Sequence, residues 1–184
     1  MTATNAATRT TWTLDASHST VEFVAKHMMI TTVKGRFADV TGTIVADEAN
    51  FTDSSVEVTM QAESLDTRTG ERDAHLRSPD FLDVDRYPTI TFKSTSIRGT
   101  KEKFQVTGDL TIRDVTREVT LQVESVTPEI KDPDGQLRLG ATASTRIARK
   151  DFGLTWNAVL ESGGFVVGDE VDITIDVELV RKAE

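Results

Sequence analysis

Residues 171–180 read VDITIDVELV. Val171, Ile173, Ile175, Val177 and Leu179 fall on one side of an extended chain, and Asp172, Thr174, Asp176 and Glu178 on the other. Successive side chains of a strand point to opposite faces, so this stretch is a strand with one apolar and one wet face. The same rhythm recurs along the chain. Thr20 to Lys26 (TVEFVAK) aligns Val21, Phe23 and Ala25, and Ser55 to Ala62 (SVEVTMQA) aligns Val56, Val58 and Met60. Lys34 to Ala46 carries Phe37 and Ile44 in one long strand interrupted by Gly35 and Gly42. Thr89 to Ile97 aligns Ile90 and Phe92, and Phe104 to Ile112 aligns Phe104, Val106, Leu110 and Ile112. Val119, Leu121 and Val123 continue the pattern, followed by Leu137, Leu139, Ala141 and Ala143.

Strands of this kind suit an antiparallel sheet, and eight of them in 184 residues suffice to close on themselves and remove exposed edges. Asp132-Pro133-Asp134-Gly135 and Arg98-Gly99-Thr100-Lys101 are turn signals between strands. Gly35, Gly42, Gly108 and Gly140 inside strand patterns permit the bulges and coiling that closure needs. The fold class is therefore all-β, a single antiparallel barrel domain over residues 12–184 behind a disordered polar tail at 1–11.

Three segments break the rhythm: His27 to Val33, Glu63 to Pro88 and Ile147 to Gly168. In the second, Asp66 is placed to cap a short helix that stops at Ser78, because the residue before Pro79 resists the α conformation. Ser78 then reads as the N-cap of a second turn with Pro79 first in it. Connections this long are usually functional, and in a barrel they cover an open end. Their apolar residues, among them Met28, Leu76, Phe81, Leu82, Phe152 and Trp156, either plug the barrel as core or line a cavity; the residues alone leave both open. Small inward positions (Ala25, Gly108, Ala141, Ala143) and the adaptable Met28-Met29 pair lean toward a cavity.

Composition narrows the function classes. Acidic residues outnumber basic ones 30 to 21, and no Lys/Arg-rich stretch offers the face that nucleic acid requires. The absence of cysteine removes disulfides and thiolate chemistry. The first residues lack the apolar core of a secretory signal, and no run approaches the roughly 18 apolar residues of a membrane span. The expectation is a cytoplasmic protein without stable membrane insertion. Asp15-Ala16-Ser17-His18-Ser19 holds the residue types of a serine hydrolase, but neighbours on an extended chain point apart and form no relay. His18, His27 and His75 lack metal-ligand spacing, and Asp80, Asp83 and Asp85 lack the pattern of a calcium loop, so capping explains them better. Asn50-Phe51-Thr52 matches a glycosylation acceptor weakly. No catalytic residue, metal site or cofactor is expected. If the protein were an enzyme, His18, His27 and Asp151 would be the suspects; a filled barrel acting as an interaction or stress-response module is the other rival.

Several motifs resemble the YceI family of polyisoprenoid-binding, lipocalin-like proteins. They begin with Trp12-Thr13-Leu14-Asp15, Ser17-His18-Ser19 and Val21-Glu22-Phe23, then Gly35-Arg36-Phe37 and Gly42-Thr43-Ile44. Residues 72–83 (RDAHLRSPDFLD) with Tyr87-Pro88-Thr89-Ile90-Thr91-Phe92 form the most specific signature. Gly108-Asp109-Leu110-Thr111-Ile112, Val115-Thr116-Arg117, Arg149-Lys150-Asp151-Phe152-Gly153-Leu154 and Val167-Gly168-Asp169-Glu170-Val171 complete it, so the resemblance spans Trp12 to Val180. Asp114 stands where many relatives carry glycine, a difference confined to one turn. The resemblance implies an extended eight-stranded antiparallel lipocalin-like barrel with short helices in the connecting loops, an isoprenoid lipid along its interior, and a homodimer. On that reading Phe23, Phe37, Phe92, Leu110, Phe152 and Trp156 are expected in the wall. Met28, Leu76, Phe81 and Leu82 are expected toward the opening, with Lys26, His27 and Arg36 at a polar mouth.

Overall fold

A computed structural model describes residues 9–161 and 163–183, and in it the VDITIDVELV alternation lies within the longest strand. The strands in chain order are β1 (Arg9–Leu14), β2 (Thr20–His27), β3 (Thr31–Phe37), β4 (Val40–Asp47), β5 (Ser55–Gln61) and β6 (Leu65–Asp66). They continue with β7 (Thr89–Thr100), β8 (Lys103–Ile112), β9 (Val115–Val126), β10 (Ile130–Lys131), β11 (Leu137–Ala148) and β12 (Val167–Arg181). Among the described residues there is one α-helix, α1 (Gly70–Arg77), besides short 3-10 turns.

Every pairing of these strands is antiparallel. β12 pairs along one edge with β11, and along the other with β2 through its first part and β1 at its end. β1 and β2 are thus two halves of one bent stave, and β3 and β4, which pair with β2 and β1, are halves of the next. From β4 the ladder passes through β5, β7, β8, β9 and β11 back to β12, which makes a closed barrel of eight staves. Inward positions carry the expected alternation: Ile90, Phe92, Val106, Leu110 and Ile112 are buried in one cluster.

Four expectations need correction. Residues 9–11 are not tail but the start of β1, where Arg9, Thr10 and Thr11 pair with Asp47, Ala46 and Val45; residues 1–8 lie outside the described residues. The long strand over 34–46 is two strands, because the chain breaks at Ala38 and Asp39, where the Ala38 amide donates to the Ser64 carbonyl at 3.1 Å. The segment from His27 to Val33 is not irregular. It is a hairpin whose three-residue loop, Met28 to Ile30, holds a tight turn, with Met28 and Met29 both left-handed (φ 50° and 62°) and the Ile30 amide donating to the His27 carbonyl at 3.1 Å. Turns of that kind normally carry Asn-Gly, so the sequence gives no warning of this one. Finally, α1 starts after Thr69, three residues beyond Asp66, whose carboxylate accepts instead from the Arg68 amide at 2.8 Å. The helix does stop at Ser78, and the expected turn follows: the Phe81 amide donates to the Ser78 carbonyl at 3.0 Å and the Asp80 amide to Ser78 Oγ at 3.4 Å, while Leu82, Asp83 and Val84 donate back to the carbonyls of Leu76, Ser78 and Arg77.

One glycine has a steric reason to be there. Gly108 faces Ser94 where the β7–β8 register shifts between Ser94 and Ser96. A Cβ at Gly108 would stand 2.7 Å from Phe92 Cζ and 2.8 Å from Ser94 Cα, and would strike the Lys93 carbonyl. Gly108→Ala is expected to destabilise the protein by about 1–3 kcal/mol through overpacking, read as a lower urea midpoint at an unchanged slope.

Candidate functional site

The inward faces do not fill the barrel. They enclose an elongated cavity of about 580 Å³, in the range of pockets that hold small molecules. Val171, Ile173, Ile175 and Val177 of β12 and Val119, Leu121 and Val123 of β9 point inward yet remain half-exposed, and the surface they expose is the cavity wall. Ile90 and Phe92 of β7 and Val106 and Leu110 of β8, which also line the cavity, are more fully buried. The hollow therefore lies against β9, β11, β12 and β2, where Ala25, Ala141 and Ala143 keep the wall thin.

The two ends differ. At the end where β2 turns into β3 and β11 finishes, loops form a floor: Leu76, Phe81, Leu82 and Leu154 line the cavity there. Arg149, only 3% exposed, ties this floor together. Its guanidinium donates to the carbonyls of Leu154 (2.6 Å), Trp156 (2.9 Å) and Gly168 (2.9 Å) and pairs with the Asp169 carboxylate at 3.3 Å, which together satisfy a buried charge. Burial draws its pKa down from the ordinary arginine value, and Asp169 partly opposes this. At the other end the cavity opens. Of the exposed residues that line it, all but Glu22 (Glu48, Lys101, Val126 and Glu129) lie there. Phe51 narrows this mouth, edge-on to Phe104 at 5.5 Å. Arg181 spans it, 3.7 Å from Glu48 and 4.0 Å from Glu129. Asp47 is buried beside them, and the Asn50 amide first, then Arg9, hold its carboxyl below the usual carboxylate range.

Phe23, Phe37, Leu76, Phe81, Leu82, Phe92 and Leu110 all line the cavity. Phe23 and Phe37 meet at 5.8 Å. Met28, Phe152 and Trp156 do not line it. Met28 is at the hairpin tip, Phe152 is buried behind the floor, and Trp156 stacks on His75 (4.6 Å) and Phe81 (5.3 Å). Lys26, His27 and Arg36 do not line it either: they belong to the β2–β3 hairpin at the floor end, and alternation turns Lys26 and Arg36 outward from Ala25 and Phe37. The mouth is built from residues that sequence reasoning passed over. Phe51 was hidden in a glycosylation-like triplet, and Glu48, Lys101 and Glu129 looked like ordinary surface charge.

The Asp15-Ser17-His18 triplet is brought together after all, because the chain bends there in a 3-10 turn. Ser17 Oγ bonds Asp15 at 2.6 Å, and both Ser17 (3.2 Å) and Asp15 (3.0 Å) address the same His18 Nδ1. A relay needs nucleophile and orienting carboxylate on different ring nitrogens, so this is not a triad. Asp15, His18 and Glu178 also form a group with metal-ligand reach, but the guanidinium of Arg138 stands among them, 2.8 Å from Asp15 and 2.5 Å from Glu178. The Asp cluster serves turns and ion pairs: Asp80 meets His75 at 2.9 Å, and Asp83 lies 3.7 Å from Arg86 and 3.9 Å from Arg113.

A closed antiparallel barrel with an apolar interior and one charged mouth is a ligand-binding barrel of the lipocalin-like class. The YceI-like domain matches residues 12–179, and the chain belongs to that family. A protein YceI of Shigella flexneri is 38% identical over 168 residues, 91% of this chain and 84% of that protein. A UPF0312 protein of Photorhabdus laumondii is 37% identical over 169 residues, 92% of this chain and 84% of that protein. Among solved structures, BcnA of Burkholderia cenocepacia superposes with a TM-score of 0.77 at 25% identity, covering 90% of this chain and 98% of that one. A polyisoprenoid binding domain from Saccharophagus degradans shares the fold at 15% identity, with a TM-score of 0.65 over 93% of this chain and 98% of that one.

Asp15 and His18 set a pH dependence. Ser17, then His18 and Arg138, hold the Asp15 carboxyl well below the usual range, and the hydrogen bond to Asp15 raises the His18 pKa. The His18 contribution to stability is present below the ordinary imidazole pKa and lost as pH rises through its folded value; the Asp15 contribution is present above the ordinary carboxylate pKa and lost in acid. An NMR titration is expected to place His18 above a free imidazole and to return it toward that value in Asp15→Asn. An ordinary titration in the wild-type protein would contradict the pairing.

Proposed function

We propose that this protein binds, stores or carries a long-chain isoprenoid lipid in the barrel interior and does no chemistry on it. One observation carries the reading: the cavity runs the length of the barrel with an apolar wall, and exposed charge among its lining residues, Glu22 apart, gathers at one mouth. Each buried CH₂ contributes roughly 0.8 kcal/mol, so a prenyl chain of about 20 carbons gains more than 10 kcal/mol gross, before ordering costs. Affinity of that size needs no charged anchor. The Saccharophagus domain described as polyisoprenoid binding has the same fold, which supports the choice of guest. A binding role is favoured over catalysis because none of His18, His27 and Asp151 lines the cavity. The chain of the guest lies along the β9–β11–β12 wall with its polar end among Glu48, Lys101 and Glu129, in place of the Lys26, His27 and Arg36 first expected. The homodimer implied by the family resemblance belongs to the same proposal and is read by light scattering.

Organic extraction of gently purified protein, followed by mass spectrometry, is expected to release a prenyl lipid. No extracted lipid, together with no uptake of added polyprenol, would overturn the reading. Ala141→Phe fills the hollow from its thin side and is expected to weaken uptake about tenfold or more while cooperative unfolding is retained. Trp12, which lines the cavity, provides the fluorescence signal.

A further inference from the structure

We propose that the tip of the β2–β3 hairpin and the adjoining loop around Val159 and Phe165 form a shallow docking surface for a lipid bilayer with anionic head groups. The proposal rests on the carrier reading for its purpose, since a carrier of membrane lipid must meet a membrane. Its geometry stands separately.

Met29, Ile30, Val159 and Phe165 are 65%, 80%, 76% and 51% exposed, and Met28 beside them is 39% exposed. These residues form one surface. The Met28 amide donates to the Val166 carbonyl at 2.8 Å, Val159 and Phe165 pair across their own turn, and a Cβ on Gly164 would lie 3.8 Å from Met29 Cγ. Neither folding nor turn chemistry asks for methionine here. Both residues take a left-handed conformation that costs an L side chain energy, and neither is buried in return. A flexible thioether side chain does suit a yielding apolar surface.

The charge of this element argues for the partner. The whole chain carries −9, yet residues 25–38 contain Lys26, Lys34 and Arg36 and no acidic residue. Among the described residues no carboxylate lies within ion-pair distance of Lys26 or Lys34, and Arg36 has only Asp66, at 3.5 Å. Lys150 lies over the Phe165 ring at 5.9 Å and pairs with Asp169. Glu161 is the one acidic side chain between Val159 and Phe165. Apolar tips flanked by lysine are the elements that sink about 5–10 Å into an anionic interface. Two adjacent turn tips are also too narrow for the roughly 800 Å² per partner of a stable protein interface. The loop that carries Val159 and Phe165 also carries Leu154 into the floor, so docking would set the floor against the bilayer, with the mouth at the far end of the barrel.

Flotation with vesicles tests this. The wild-type protein is expected to float with phosphatidylcholine–phosphatidylglycerol vesicles (three to one) and less with phosphatidylcholine alone. M28N/M29G supplies the residues the turn prefers, so the fold is kept, and flotation is expected to fall about tenfold or more. K26E/K34E is expected to abolish the preference for anionic vesicles. Polyprenol loading from detergent micelles is expected to be unchanged in both variants. Wild-type protein that floats with neither vesicle, M28N/M29G that floats like wild type, or M28N/M29G that turns a dimer into a monomer would each overturn the docking surface. Failure of micelle loading in the wild type would instead strike at the carrier reading, and flotation would still be decided by the variants.

Discussion

The rest of the structure depends on the two ladders made by β12. This strand is the seam of the barrel, bonded to β11 on one edge and to both halves of the bent β1–β2 stave on the other. Because the ladders of a closed barrel pair backbone donors and acceptors stave to stave, the wall does not need a filled core to hold those polar groups. The bend is secured from outside. Arg138 on β11 reaches Asp15 at the bend, Glu178 on β12 and Asp132 in the turn after β10. A charge cluster with the residue types of an active site thus splints the place where one stave changes direction.

Closure explains how the interior can hold a cavity. A void of this size would cost on the order of 10 kcal/mol if it were a packing defect, comparable with the whole stability of a typical domain. The sequence does not scatter the space. It gathers it in one apolar cavity, where Ala25, Ala141 and Ala143 replace larger residues on β2 and β11, while Phe92 and Leu110 line it as buried side chains. A barrel short of core residues would be loose everywhere. This one keeps a buried cluster around that cavity, as a site shaped for an elongated apolar guest would be.

What the sequence made legible follows from what period-two alternation encodes. It reports whether a side chain points in or out, so Phe23, Phe37, Phe92 and Leu110 could be placed on the inner face from spacing alone. It does not report which end of the barrel a residue occupies, because that depends on pairings between distant strands. Lys26, His27 and Arg36 were assigned to a mouth and stand at the floor end for that reason. Met28 and Met29 form a tight turn without turn residues, so the hairpin read as a break. Phe152 and Trp156 belong to a loop whose path is set by the buried Arg149, a contact no local pattern announces. The family resemblance supplied the lipocalin type and the guest; spacing supplied the inward face and the number of strands that closure needs.

The ends of the cavity are held by different kinds of interaction, and this bears on selectivity. Arg149 fixes the floor through buried, charge-assisted bonds to carbonyls, which salt screens little. The mouth is spanned by Arg181 and two exposed glutamates at 3.7 and 4.0 Å, pairs of a kind worth about 0–1 kcal/mol and easily exchanged for water. A guest whose polar end reaches the mouth meets compliant side chains of both signs there and a rigid apolar tube behind them. Discrimination between guests then comes from the length and girth of the apolar chain, set by Ala25, Ala141 and the floor. The head group contributes little, because Glu48, Lys101 and Glu129 at the mouth are exposed, and the buried Asp47 is already satisfied by Arg9 and the Ala49 and Asn50 amides.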